Sequence, residues 1–200
     1  NYSFMDISII EKLKIDPEND LFEILDIIQK WNRKTDIDSQ GAGIYGVLYY
    51  QLVSNYRNEI LENDNTVSNE TLLSALSDIK SYLTDNFGTI NITLGDFQKL
   101  VRGDKEIPIW GLPDVVTAMS SRPYKDGRRK VTQGESYIGL IRFNDKGPTI
   151  ESIISFGNSD NPDSEHYTDQ MELYSKFKTK KMTFDKQEIY SKAKRIYNPN

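Results

Sequence analysis

The sequence predicts an α+β fold: a helical portion over residues 1–88, then a strand-rich portion with C-terminal helices over 89–200, the two forming one continuous unit. Two observations carry this. Up to Gly88, apolar residues recur at intervals of three and four, the signature of helices with one buried stripe. After it, β-branched and aromatic runs alternate with Gly, Pro, Asn and Asp punctuation, the pattern of strands joined by turns.

Met5 to Leu13 places apolar groups at helical spacing ahead of Asp16-Pro17 and predicts a short first helix. Leu21, Phe22, Ile24, Leu25, Ile28 and Trp31 predict a second, with Asp16 as its cap and Pro17 at its first position. Asp38 or Ser39 is expected to cap a third, running through Ile44, Leu48, Leu52 and Tyr56 to Ile60. Gly41, Ala42, Gly43 and Gly46 at its start lower helix propensity but admit a close neighbour. Beyond the turn-rich Glu62 to Asn69, Asn69 is expected to cap a helix carrying Leu72, Leu76, Ile79 and Leu83, closed by Gly88 in the left-handed conformation. Short connections make these an antiparallel set.

Val115 to Ser120, Ser136 to Phe143 and Thr149 to Phe156 read as strands. Asn144-Asp145-Lys146-Gly147 is a hairpin signal, so residues 135–156 are predicted to form two adjacent antiparallel strands, with Pro148 suited to a strand start. Tyr124 to Gln133 is expected to be an exposed, mobile excursion. Helices are expected around Asp169 to Phe177 and from about Asp185, the second capped by Thr183 or Asp185 with Ile189 and Ala193 facing inward. The basic run Lys176 to Lys181 reads as a solvated helix end.

Composition excludes several functions. A net charge of −5 argues against nucleic-acid binding, which rests on clustered basic surface; Arg128-Arg129-Lys130 is a short exception. No apolar run approaches the roughly 20 residues that span a bilayer. With no cysteine there is no disulfide, thiolate metal site or cysteine nucleophile. The opening Asn1-Tyr2-Ser3, without methionine, reads as a processed or excised chain.

Ser155 to Gln170 holds the chemistry-bearing residues. It leaves a β-branched run, crosses the turn-forming Asn161-Pro162-Asp163-Ser164 and enters a helix, and it carries the single histidine, His166. A Ser-His-Asp set can be drawn from Ser159 or Ser164, His166 and Asp169. The alternative is that His166 orients the loop through a buried hydrogen bond to Asp169 or a backbone carbonyl. Asp160, Asp163, Glu165 and Asp169 offer oxygen ligands of the kind calcium takes, but the favoured reading is a solvated acidic loop.

The segment G-x-S-x-x-P-x-S-x-H-Y-x-D-Q from Gly157 to Gln170, with the strand Gly134 to Phe143 before it and Phe184 and Tyr197-Asn198-Pro199 after it, resembles the C-terminal end of the penicillin acylases. Leu25 to Trp31 followed by Asp38-Ser39 is similar to the family pattern L-L-x-x-W-D…D-S, with Asn32 in place of Asp. Thr93 to Gly111 is similar to W-G-x-x-H-R…G-D…L-P-V-x-G, with Leu94 in place of Trp and Gln98 in place of His.

That resemblance implies the C-terminal part of the heavy chain of an N-terminal-nucleophile amidohydrolase, whose strands belong to an αββα core. The nucleophile, usually serine, is exposed by autoproteolysis and uses its own α-amino group as base. Asn1 has neither hydroxyl nor thiol, so no catalytic residue is expected in this chain. Gly157, Ser159, Pro162, Ser164, His166, Tyr167, Asp169 and Gln170 are then a structural loop.

The substrate class would be an acyl amide of β-lactam antibiotic or acyl-homoserine-lactone type. The resemblance implies no organic cofactor; it leaves room for calcium in the parent, with no ligands assignable here. Partners would be the light chain and the N-terminal heavy-chain segment of the same enzyme, and the location periplasmic or secreted. The rival reading is a non-catalytic interaction domain of acylase ancestry.

Overall fold

The computed structural model describes residues 8–62, 66–113, 115–145 and 147–196. Tyr197-Asn198-Pro199 and the first residues of the expected opening helix lie outside them. The fold is α+β, and its packing divides into two compact units, Asn1–Gly134 and Glu135–Asn200.

The first unit opens with α1 (Ser8–Lys12) and α2 (Phe22–Gln29). Asp16 does not cap α2. Its carboxylate accepts from the Glu18 N–H at 2.9 Å, and Asn19 Oδ1 accepts from the Leu21 N–H at 2.9 Å. Side-chain turns therefore compete with helix through this stretch, and α2 starts only at Phe22.

Ser39 caps α3 (Gln40–Asn55), its Oγ accepting from the Ala42 N–H at 3.2 Å. The small residues at the start of α3 meet close neighbours, as expected: a Cβ at Gly43 would lie 2.7 Å from the Thr93 carbonyl carbon, and one at Gly41 would overlap the Trp31 side chain. The helix stops short of Ile60. Tyr56 leaves helical geometry (φ −120, ψ 8), its hydroxyl donates to Asp78 at 2.8 Å, and a separate α4 (Arg57–Glu62) follows.

Helix α5 (Asn69–Phe87) is capped by Ser68, one residue earlier than expected. Ser68 Oγ accepts from the Thr71 N–H at 3.0 Å, and Gly88 closes the helix at φ 70. Ile24 and Ile28 of α2, Ile44, Leu48 and Leu52 of α3, and Leu72, Leu76, Ile79 and Leu83 of α5 are fully buried in one core. Each such side chain contributes about 1.5–3 kcal/mol by leaving water.

A capping box between Thr93 and Asp96 starts the short α6 (Leu94–Phe97), which runs into β1 (Gln98–Arg102); Gly103, at φ 58, turns the chain into β2 (Lys105–Pro108). A four-stranded sheet, ordered β2-β1-β4-β3, is completed by β3 (Met119–Pro123) and β4 (Arg129–Gly134). Two expectations fail here. Val115 to Ser120 is strand only at its end, and Val116 is 97% exposed.

Tyr124 to Gln133 is not an excursion, since β4 pairs antiparallel with β3 and parallel with β1. The reason is the turn Asp126-Gly127. Both residues take positive φ (52 and 67), and the Tyr124 N–H donates to the Arg128 carbonyl at 2.8 Å, a reversal suited to twisted strands.

In the second unit, β5 (Tyr137–Arg142) and β6 (Thr149–Ile154) are adjacent and antiparallel, as predicted, with Tyr137 opposite Ile154 and Arg142 opposite Thr149. Gly147, at φ 103, donates its N–H to the Asn144 carbonyl at 2.9 Å in the connection. Two helices follow, α7 (Met171–Ser175) and α8 (Lys186–Lys192), with β7 (Lys180–Met182) between them.

The basic run does begin at a solvated helix end, with the exposed Lys176 as C-cap of α7, and its last residues, Lys180 and Lys181, join β7, which pairs with β6. Asp185 caps α8 as anticipated, accepting from the Glu188 N–H at 2.7 Å. No residue of α8 is buried: Ile189 is 47% exposed and Ala193 is exposed, so the inward face assigned to them is absent.

Candidate functional site

The loop from Ser155 to Gln170 is held at its neck by Gln170. Its Oε1 accepts from the Ile154 N–H at 3.3 Å, its own N–H donates to the Phe156 carbonyl at 2.8 Å, and its Nε2 lies 3.4 Å from Asn158 Oδ1. Only 3% exposed, this amide stitches the end of β6 to the start of α7. Beside it, the buried Tyr174 donates its hydroxyl to the Glu135 carbonyl; burial pushes the phenol's pKa up, so it stays a donor.

Within the neck, the chain folds on itself. The Ser159 N–H donates to the His166 carbonyl at 3.1 Å, and Gly157 runs so close to that carbonyl that no Cβ fits there. At the tip, Pro162 sits inside a turn in which the Ser164 N–H donates to the Asn161 carbonyl at 3.1 Å, reinforced by Asp163 N–H to Asn161 Oδ1 at 3.0 Å. The Tyr167 N–H then donates to the Ser164 carbonyl at 3.0 Å, so the residues of the sequence motif do form one folded loop.

His166 and Asp169 meet. Nδ1 of the imidazole lies 2.9 Å from Asp169 Oδ2, an acceptor that sets the proton on Nδ1. The histidine side chain is 54% exposed, which corrects the expectation of a buried bond: the anchors of this loop are backbone amides and Gln170, and the ring lies over its outside.

The serines do not complete a triad. Ser159 Oγ accepts from the Asn161 N–H at 3.2 Å and Ser164 Oγ accepts from the His166 N–H at 3.2 Å. His166 Nε2, the nitrogen that would take a serine proton, faces Glu165 Oε1 at 3.7 Å. Glu165 in turn holds Lys194 at 2.6 Å, and that ammonium keeps its carboxyl below the usual range. Among the described residues, no three His, Asp or Glu side chains cluster so as to hold a metal ion.

The positions where the first unit departs from the acylase patterns have their own geometry. Asn32 Oδ1 accepts from the Lys34 N–H at 2.9 Å, turning the chain after Trp31. Gln98 is fully buried, and its Nε2 donates to the carbonyls of Gly111 at 2.7 Å and Trp110 at 3.3 Å. That bridging role had no signal in the sequence beyond a polar residue among apolar ones.

A profile of the penicillin amidase family matches residues 1–191. The chain belongs to the penicillin amidase family. A curated relative, the acyl-homoserine lactone acylase PvdQ of Pseudomonas syringae pv. syringae (strain B728a), is 38% identical over 98 residues, 48% of this chain and 13% of that protein. The PvdQ acylase of Pseudomonas fluorescens (strain Pf0-1) is 35% identical over 98 residues, again 48% of this chain and 13% of the relative. The match thus spans a small part, 13%, of the length of these curated relatives. The family's name is that of an amide hydrolase; in this chain the loop just described is backbone-anchored, and among the described residues neither Ser159 nor Ser164 Oγ is bonded to the His166 imidazole. No helix among the described residues is long and apolar enough to cross a membrane.

Proposed function

We propose that this chain is the C-terminal portion of an acylase that removes an acyl group from an amide of β-lactam or acyl-homoserine-lactone type. The observation that supports it is the engagement of the loop: both candidate serine hydroxyls accept from backbone amides while the imidazole Nε2 faces a carboxylate. A family member with that loop needs its nucleophile elsewhere, and an N-terminal serine released by autoproteolysis upstream of this chain is the source this reading assigns. Gly157, Ser159, Pro162, Ser164, His166, Tyr167, Asp169 and Gln170 then shape the scaffold rather than react.

The partner is the rest of the same enzyme, its light chain and the N-terminal heavy-chain segment, whose strands would complete an αββα core. The outward apolar side chains of the second unit, Leu140, Ile141 and Phe143, suit burial against such a segment. The chemistry needs no organic cofactor, and any calcium would be held by the parent's other residues. A periplasmic or secreted location fits the same reading.

The test is turnover of phenylacetyl, phenoxyacetyl and long-chain acyl amides by the full natural protein and by this 200-residue chain alone, with mass spectrometry of the processed N-terminus. The expected result is turnover only by the full protein, after release of an N-terminal nucleophile. Turnover by this chain alone, abolished by Ser159→Ala or Ser164→Ala, would overturn it.

A further inference from the structure

Arg129 is the first residue of β4, and it is fixed on two sides. Its Nε donates to Ser121 Oγ at 3.0 Å and its Nη2 to the Ser121 carbonyl at 2.5 Å. Its guanidinium carbon sits 3.5 Å from the centroid of the Tyr50 ring. Tyr50 is itself pinned, its hydroxyl accepting from the Ser121 N–H at 3.0 Å and lying 3.0 Å from Ser121 Oγ. Residues of α3, β3 and β4 thus hold one edge and one face of the guanidinium, and among the described residues Nη1 donates no hydrogen bond.

That cation is half-buried, and burial disfavours its charged form. Among the described residues it makes no ion pair with any carboxylate. A cavity of about 200 Å³ opens beside it, walled by Val47, Phe97, Pro123, Tyr50 and Tyr82, with the polar Gln51 and the exposed Ser54 also lining it. Tyr82 turns its hydroxyl away onto the Gly127 carbonyl at 2.5 Å, presenting its ring.

A planar two-donor edge matches a carboxylate, and a desolvated cation lacking a counter-ion is the arrangement that gains most from one. The apolar and aromatic part of the lining favours an organic anion over a strongly hydrated inorganic one. The volume lies below the roughly 300–1,000 Å³ of drug-sized pockets, which restricts the occupant to a small molecule.

We propose that this cleft binds a small monocarboxylate with an aromatic or short apolar tail, the carboxylate paired with the open edge of Arg129 and the tail lying between Val47, Phe97 and Pro123. This site goes beyond the acylase reading and stands on the geometry of the first unit alone.

Calorimetric titration of the full natural protein with benzoate, against the neutral isostere benzamide, tests it. Benzoate is expected to bind and benzamide to bind at least about tenfold more weakly. Arg129→Gln, which removes the charged donor pair, is expected to weaken benzoate by about tenfold or more. Ser54→Trp fills the cavity from its rim while leaving the Ser121, Arg129 and Tyr50 contacts intact, and is expected to abolish binding; it decides the matter if Arg129→Gln does not fold. Failure of the wild-type protein to bind benzoate, equal affinity for benzamide, benzoate binding unchanged in Ser54→Trp, or binding of an acidic peptide but not of benzoate would each overturn the proposal.

Discussion

Gly157 and the carbonyl oxygen of His166 are packed without room for a methyl group between them; an added Cβ would also meet Asp169 Oδ1 at 2.7 Å. The neighbour is backbone, already accepting from the Ser159 N–H, so it cannot swing aside. Gly157→Ala is therefore expected to destabilise the second unit by about 1–3 kcal/mol, the usual cost of overpacking. Urea unfolding followed by far-UV circular dichroism measures it, and a midpoint equal to that of the unaltered protein would show that the loop relaxes.

His166→Ala probes the same loop from outside. Because the imidazole is largely exposed, its pairing with Asp169 is worth only about 0–1 kcal/mol, against the larger loss a buried partner would give. A small fall in melting temperature with turnover of the full protein within a few-fold is the expected pair of results. Abolished turnover at unchanged stability would move His166 into the reacting groups.

How much of this could be read from the sequence depends on what set each element. Helices of the first unit were legible because Ile24, Leu48, Leu76 and their neighbours repeat at helical spacing and all face one core. The β5–β6 hairpin was legible from the turn between two β-rich runs. Strand β4 was not: Arg129-Lys130-Val131-Thr132-Gln133-Gly134 has little apolar alternation, and its only local signal was Asp126-Gly127, whose positive φ values make the reversal. Inward faces for α8 could not be told from outward ones by spacing alone. The loop motif was legible as a unit, but its anchoring by Gln170 rather than His166 depends on which side chain burial selects.

Gln98 gives a second test of what spacing cannot show. Its Nε2 donates to the Gly111 and Trp110 carbonyls from a fully buried position, while its Oε1, also buried, has no hydrogen-bond partner among the described residues. Gln98→Leu removes both of these bonds and is expected to cost about 1–3 kcal/mol. Gln98→His, which keeps a ring N–H able to reach one of them, is expected to cost less. Chemical denaturation of the two variants checks the order, and a more stable Leu variant would mean that the orphaned Oε1 outweighs the two bonds.

The last prediction concerns pH. Glu188 in α8 accepts from Lys192 at 2.6 Å and from the Thr183 hydroxyl at 2.7 Å, with Lys181 at 3.8 Å, and these partners lower its pKa from 4.5 to about 2. A carboxyl whose pKa is depressed by folding contributes stability that is fully present above about pH 4.5 and is lost as pH falls toward about 2. Because α8 buries no side chain, these contacts and the Asp185 cap carry much of its order. Amide exchange protection of Ile189 to Lys192 is expected to drop across that window, and to drop less in Glu188→Gln, where nothing titrates at this position. The comparison of the two proteins, rather than the fall itself, isolates Glu188. Equal pH profiles for both would remove Glu188 as the anchor of this helix.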